Sequence, residues 1–325
     1  WCAGLALAAG LFVAAPQASA DVLVGWDVTN QTSYGVSPLA PSSTLSGVTV
    51  NTNLTKKAGN SGTAAGNAWG GTGFNSTTSY WYFTVSPSTG KKLSHTNLVI
   101  NYRRTATGPT NALIQYRVGG GSLVDITSIA FPVTASTGSV VNVNLSGVSA
   151  LQNCTDPITY WVTPTNASAG TGPWYIYNRV TGLGGNDMFL EGTVADAAAA
   201  PSVTTEAASD VAATTAKGNG NVTADGGATV TERGVCYKTS AGVAITDNKT
   251  AAAAGGTGTY SVDLSSLSVN QIYYFKAYAS NSVGETLSAT ELNFTTLANV
   301  PAAPTVNNPT ASTLDVAVNE NSNPS

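Results

Sequence analysis

The sequence predicts an all-β chain built as tandem β-sandwiches. Three observations carry this. Apolar residues recur with period two in runs of four to eight, the spacing of half-buried strands. Clusters of Gly, Ser, Asn and Thr separate those runs, as turns do. No stretch combines a 3.6-residue apolar period with helix caps. Many short strands without helices mean a sandwich or a barrel, and 325 residues give room for two or three domains.

Residues 1–20 form an apolar run that ends Ala18-Ser19-Ala20. This is the pattern of a secretory signal peptide, with cleavage expected before Asp21. Pro16-Gln17 interrupts the run before it reaches the ~20 residues of a membrane span, so no transmembrane segment is expected. The expected location is the extracellular space or the cell surface. Only 9% of residues are charged. Beyond the leader the cysteines are Cys154 and Cys236, in different predicted domains, so two isolated thiols are expected. The domains must then stand on hydrophobic cores. Residues 21–195 carry eight Lys/Arg and six Asp/Glu, and residues 196–325 carry five and eleven. Neither part shows a basic stripe, which argues against nucleic acid as a partner.

Residues 21–194 are read as the first sandwich. Val22 to Val28 is a strand, and Tyr80 to Val85 is the clearest, with Trp81, Phe83 and Val85 on one face. Leu98-Ile100-Tyr102 and Ala112-Ile114-Tyr116-Val118 flank the turn Thr107-Gly108-Pro109-Thr110 and predict a hairpin. Gly119-Gly120-Gly121 reads as a hairpin turn. Val141 to Leu145, Ile158-Tyr160-Val162, Tyr175 to Val180 and Met188-Leu190 complete the set.

Three short motifs resemble a family of exported bacterial β-sandwich domains: Tyr82 to Pro87, Tyr102-Arg103-Arg104 with Thr107 to Thr110, and Gly184 to Val194 with its closing Gly192. The resemblance implies a jelly-roll-like fold, similar in build to carbohydrate-binding modules. Here Asn186-Asp187 stands where the family has Asp-Asn. First and last strands often adjoin in such a fold, so Asp27 and Asp187 could meet. With backbone carbonyls they would make a minimal oxygen site for a structural Ca²⁺, which wants six to eight oxygens; otherwise no cofactor is expected.

Residues 195–200 read as a linker ending at Pro201. In residues 201–297 the key stretch is Leu267 to Thr296. Tyr273, Phe275, Ala277 and Ala279 alternate with Tyr274, Lys276, Tyr278 and Ser280. Asn281-Ser282-Val283-Gly284 is a turn, because Asn and Gly tolerate positive φ. Leu287 to Thr296 is the return strand. With Glu232-Arg233-Gly234-Val235-Cys236-Tyr237 upstream, this resembles a bacterial subtype of the fibronectin type III family. The resemblance implies an immunoglobulin-like sandwich in which Tyr273 is the tyrosine-corner residue, bonded to backbone near Leu267. The strand-B Trp common in that fold is absent, and smaller residues, Ala and Val, are expected in its place. Residues 298–304 are a Pro-stiffened linker. Residues 305–325 look like the start of a further such unit, with Leu314, Val316 and Val318 in alternation.

Catalytic groups are scarce. His95 is the one histidine, placed by its neighbours Lys91 to Asn97 in a solvated turn. Asp187 and Glu191 lie four apart in one strand, about 13 Å by rise, too far to act as paired carboxylates. No Cys/His cluster has zinc spacing. The chain is therefore read as a non-enzyme. Binding residues are sought among tryptophans, all in residues 21–194 beyond the leader. Trp161 is opposite in parity to Ile158, Tyr160 and Val162, and Trp174 follows the turn Gly170-Thr171-Gly172-Pro173. Trp161 and Trp174, with Tyr175 or Tyr177 beside them, could stack on sugar rings; alternatively these rings pack under loops or against the next domain. The weak net charge suits neutral sugars. Two roles follow: a structural spacer or adhesion protein meeting a cell-surface glycan or protein, or the carbohydrate-binding part of a larger extracellular polysaccharide-degrading enzyme.

Overall fold

A computed structural model describes residues 20–29, 31, 37–57, 68–73, 78–132, 138–169, 172–178, 185–299, 305–307 and 315–317. The predicted leader, residues 1–19, lies outside the described residues, as do Leu314 and Val318. The chain divides into two compact units, residues 1–197 and 198–325. Both are built from antiparallel strands. Among the described residues no helix is long and apolar enough to cross a membrane.

Among the described residues of unit 1 the strands are β1 (Asp21–Trp26), β2 (Ser43–Thr44), β3 (Val48–Lys56), β4 (Ala68–Gly71), β5 (Trp81–Pro87), β6 (Lys91–Arg104), β7 (Asn111–Val118), β8 (Val124–Ala130), β9 (Ser139–Asn144), β10 (Ile158–Thr165), β11 (Trp174–Tyr177) and β12 (Met188–Asp196). They form a seven-stranded sheet, β2-β1-β12-β6-β11-β4 with β9 also on β6, and a five-stranded sheet, β3-β5-β10-β7-β8. The inward faces meet in one aromatic core. Trp26 packs on Phe83 at 4.8 Å, Phe83 on Tyr160 at 5.3 Å and Trp81 on Trp174 at 5.8 Å. Unlike Val/Leu contacts alone, these large rings each bury enough area to hold a wide sandwich without disulfides. Cys154 and Cys236 are free thiols.

Two sequence expectations are corrected here. β6 and β7 do not form a hairpin: they belong to different sheets, and the Thr107–Thr110 turn carries the chain across the sandwich. The turn chemistry was read correctly, but a turn does not say which sheet receives the next strand. Lys91 to Asn97 is not a solvated turn but the first half of β6, and His95 is completely buried. The segment 195–200 spans the boundary between the two units. Ala195 and Asp196 continue β12 against Lys92 and Lys91, while Ala199 N–H donates to Gly226 O in unit 2.

Unit 2 has β13 (Ser202–Ser209), β14 (Ala216–Ala224), β15 (Glu232–Lys238), β16 (Asn248–Ala251), β17 (Gly258–Leu264), β18 (Ile272–Ser280), β19 (Glu285–Leu287) and β20 (Leu292–Thr295). One sheet is β13-β14-β17; the other is β16-β15-β18-β19, with β20 also on β18. The expected return strand is thus two strands, β19 and β20. The break between them is bonded to the facing sheet: Thr205 N–H donates to Ser288 Oγ, and Thr205 Oγ1 donates to Thr290 O. Val235, Ala277, Ala279 and Phe275 fill the core, with Tyr260 donating its hydroxyl to Gly234 O at 2.8 Å. The Arg-Gly pair has a physical reason. Arg233 donates to the carbonyls of Ala254, Gly256, Thr257 and Gly258, and a Cβ on Gly234 would come within 2.1 Å of Thr250 O. A short pair, β21 (Thr305–Asn307) with β22 (Asp315–Ala317), follows.

Candidate functional site

Tyr273 forms the corner expected of it. The Ser268 N–H donates to its hydroxyl at 2.9 Å, and the ring is buried against Phe294. This ties the entry turn to β18 and is a structural contact.

The four aromatic residues singled out in unit 1 separate. Trp174 is completely buried, stacked on Trp81 and packed on Phe131 at 5.2 Å, so it has no face for a ligand. Its parity with Ile176 turns it inward. Tyr175 and Tyr177 alternate to the outer face of the seven-stranded sheet, where the Arg103 guanidinium lies 6.0 and 5.3 Å from their ring centres. Tyr175 is only 6% exposed. Trp161 stands on the outer face of the other sheet, so the structure does not bring it together with these tyrosines.

Around Trp161 the register assembles a row across five strands. Thr55 pairs with Tyr82, Tyr82 with Trp161, Trp161 with Gln115, and Gln115 with Asp125. Cross-strand neighbours on one face touch, which makes the row a continuous surface. Tyr82 and Trp161 are stacked, 6.2 Å between centroids at 17°. Tyr80 joins at 5.9 Å from Tyr82. Lys57 lies 5.1 Å from the Tyr80 ring centre, and the Arg117 guanidinium 5.1 Å from that of Trp161. Tyr80, Tyr82 and Trp161 are all partly buried, with some surface left to solvent. Tyr80 and Tyr82 were missed as candidates, although the inward parity of Trp81, Phe83 and Val85 already turned them outward.

No protein-family model matches the chain, and no curated protein matches it. Solved structures similar to parts of it include the sensor domain of the anti-sigma factor RsgI4 of Pseudobacteroides cellulosolvens, at 18% identity and TM-score 0.24, covering 31% of this chain and 98% of that one. A fibronectin type III domain derived from the human KIAA0970 protein is 17% identical at TM-score 0.24, covering 34% and 84%. The FN1–FN3 domains of chicken CNTN1 are 14% identical at TM-score 0.24, covering 67% and 76%.

Asp27 and Asp187 both lie at the end of the β1–β12 pairing, where Trp26 pairs with Met188, the Asp187 N–H donates to Trp26 O and the Asn101 N–H donates to Asp187 O. Asp187 Oδ2 accepts the Val28 N–H at 2.9 Å, and Asp27 Oδ1 accepts the Thr29 N–H at 2.7 Å. The carboxylates thus already cap the backbone where first and last strands meet. Each carboxylate uses one oxygen in this way, where Ca²⁺ wants six to eight oxygens. Asn101 Oδ1, buried without a hydrogen-bond partner, is the atom that a cation there would satisfy.

His95 completes the polar groups of unit 1. Its Nδ1 meets the Tyr160 hydroxyl in the core, and Nε2 has no hydrogen-bond partner. Burial pushes its pKa down to about 3 and pushes that of Tyr160 well up. A neutral imidazole sealed in a core makes no contact with a substrate.

Proposed function

We propose that this chain is the non-catalytic part of an exported modular protein. In this reading unit 2 is a fibronectin type III bead that acts as a spacer, and unit 1 is a jelly-roll-like sandwich that presents a binding face. The tyrosine corner at Tyr273, set in a two-sheet sandwich with the Arg233-Gly234 strand opposite it, is the observation that carries the reading. Beads of this kind hold a neighbouring region away from a surface by being compact and self-contained. The residues that could do acid–base work are otherwise engaged: His95 is neutral in the core, and Asp27 and Asp187 cap backbone.

The stacked Tyr82 and Trp161 favour a second reading, in which the chain is the carbohydrate-binding and linker region of a larger extracellular polysaccharide-degrading enzyme. Flat rings on a rigid strand lose little entropy when a sugar stacks on them, and an open face gives modest affinity. A broad glycan array probed with the intact chain and with Trp161→Ala tests both. Retention lost in the variant supports a glycan-binding unit 1. No retention leaves unit 1 with the spacer role alone. Hydrolysis of any arrayed glycan contradicts both readings.

A further inference from the structure

The Tyr80–Tyr82–Trp161 row carries charge at each end, and that charge specifies a ligand class. Lys57 follows β3 and is bonded to Tyr80, and Arg117 sits on β7 in register with Thr159 and Thr84, so their backbones lie three strand spacings, about 14 Å, apart across the sheet and four residues, about 13 Å, apart along it, about 20 Å in all. Each cation is held against a ring and not against a carboxylate. Among the described residues neither has an ion-pair partner, whereas Lys91, Lys217, Lys238 and Lys249 all do. Arg117 Nε is buried with no hydrogen-bond partner. The one carboxylate in the row, Asp125, accepts from Gln115 Nε2 at 2.7 Å.

A neutral sugar covering these rings would desolvate two cations and return only hydrogen bonds from its hydroxyl and ring oxygens, with no countercharge. An anion offsets that cost through charge-assisted hydrogen bonds, strongest to the planar guanidinium. Stacking on the rings meanwhile needs a ligand with flat apolar faces. Pyranose units bearing carboxylates satisfy both demands, and a chain of them satisfies the separation of the cations. We propose that the outer face of the five-stranded sheet binds an acidic polysaccharide of the polyuronate class, its sugar rings on Tyr82 and Trp161 and its carboxylates on Arg117 and Lys57. This rests on the glycan-binding reading of unit 1 and replaces the neutral sugars expected from net charge alone, because unpaired cations on the face matter more than the sum over the unit.

Affinity gel electrophoresis of the intact chain tests the inference, with polygalacturonate, neutral galactan or single-stranded oligothymidylate in the gel. Polygalacturonate should retard the chain, galactan far less, and rising salt should weaken the retardation. Trp161→Ala should abolish it. Arg117→Gln should weaken it about tenfold, as loss of one charge-assisted contact implies. Thermal unfolding of both variants should stay close to that of the parent, since both side chains stand on the outer face of the sheet. Equal retardation by galactan overturns the acidic specificity but leaves glycan binding in place. No retardation by either polysaccharide overturns both. Retardation by oligothymidylate alone, or binding untouched by both substitutions, overturns the site.

Discussion

At the scale of single residues, two buried side chains set measurable properties. His95 is neutral in the folded state, with its pKa at about 3 against 6.5 for a free histidine. The unfolded chain therefore binds a proton that the folded chain refuses. Its contribution is fully present above pH 6.5 and is lost as pH falls towards 3, at about 1.4 kcal/mol for each pH unit. Denaturant unfolding of unit 1 should show this slope between pH 6.5 and 5. His95→Gln, which keeps a partner for the Tyr160 hydroxyl, should flatten it, and an unchanged slope would contradict the assignment. Tyr273→Phe should cost unit 2 about 1–3 kcal/mol, because the Ser268 N–H then loses its acceptor in a partly buried turn. Equilibrium unfolding in urea checks this, and a change within error would remove the corner. Tyr273 was legible in the sequence because its turn, alternation and neighbours are all local. His95 was not: the polar string Lys91 to Asn97 looks solvated, and only the distant Tyr160 explains why one ring of it is buried.

At the scale of elements, parity decided more than flanking residues did. Trp161 was placed correctly on an outer face by its alternation with Tyr160 and Val162. For Trp174 the packed alternative holds: the Gly-Pro turn before it left exposure open, while its alternation with Ile176 turns it into the core. Opposite outcomes follow. Trp174→Ala should cost about 3–5 kcal/mol as a core deletion, whereas Trp161→Ala should leave stability within about 1 kcal/mol of the parent. Thermal unfolding of the two variants separates them, and equal losses would contradict the sheet assignment. Turns were legible as turns, such as Gly119 to Gly121 between β7 and β8, but their destinations were not. The hairpin drawn between β6 and β7 failed because sheet membership depends on partners far along the chain. The junction of β1 with β12 makes its own prediction. Because Asp27 and Asp187 already cap backbone N–H groups, unit 1 should melt identically in calcium and in chelator. A higher melting temperature in calcium would instead assign a cation to Asp27, Asp187 and Asn101.

At the scale of the whole molecule, the chain is two compact antiparallel β units. The all-β architecture and the division near residue 197 follow from alternation and turn composition, which is why both could be read before any coordinates. The ligand face could not, since Thr55, Tyr82, Trp161, Gln115 and Asp125 come from five strands that only the register aligns. In unit 2 the cations that lie over rings are engaged elsewhere: Lys249, over Tyr278, pairs with Glu232 and Glu285, and Arg233, over Tyr260, donates to backbone carbonyls. The central claim is that function resides on one outer face of unit 1. Amide hydrogen exchange of the intact chain, with and without polygalacturonate, tests it most directly. The account predicts slower exchange in β5, β10 and β7, with unit 2 unchanged. Protection centred on Tyr175 and Tyr177 in β11, or on unit 2, would contradict it.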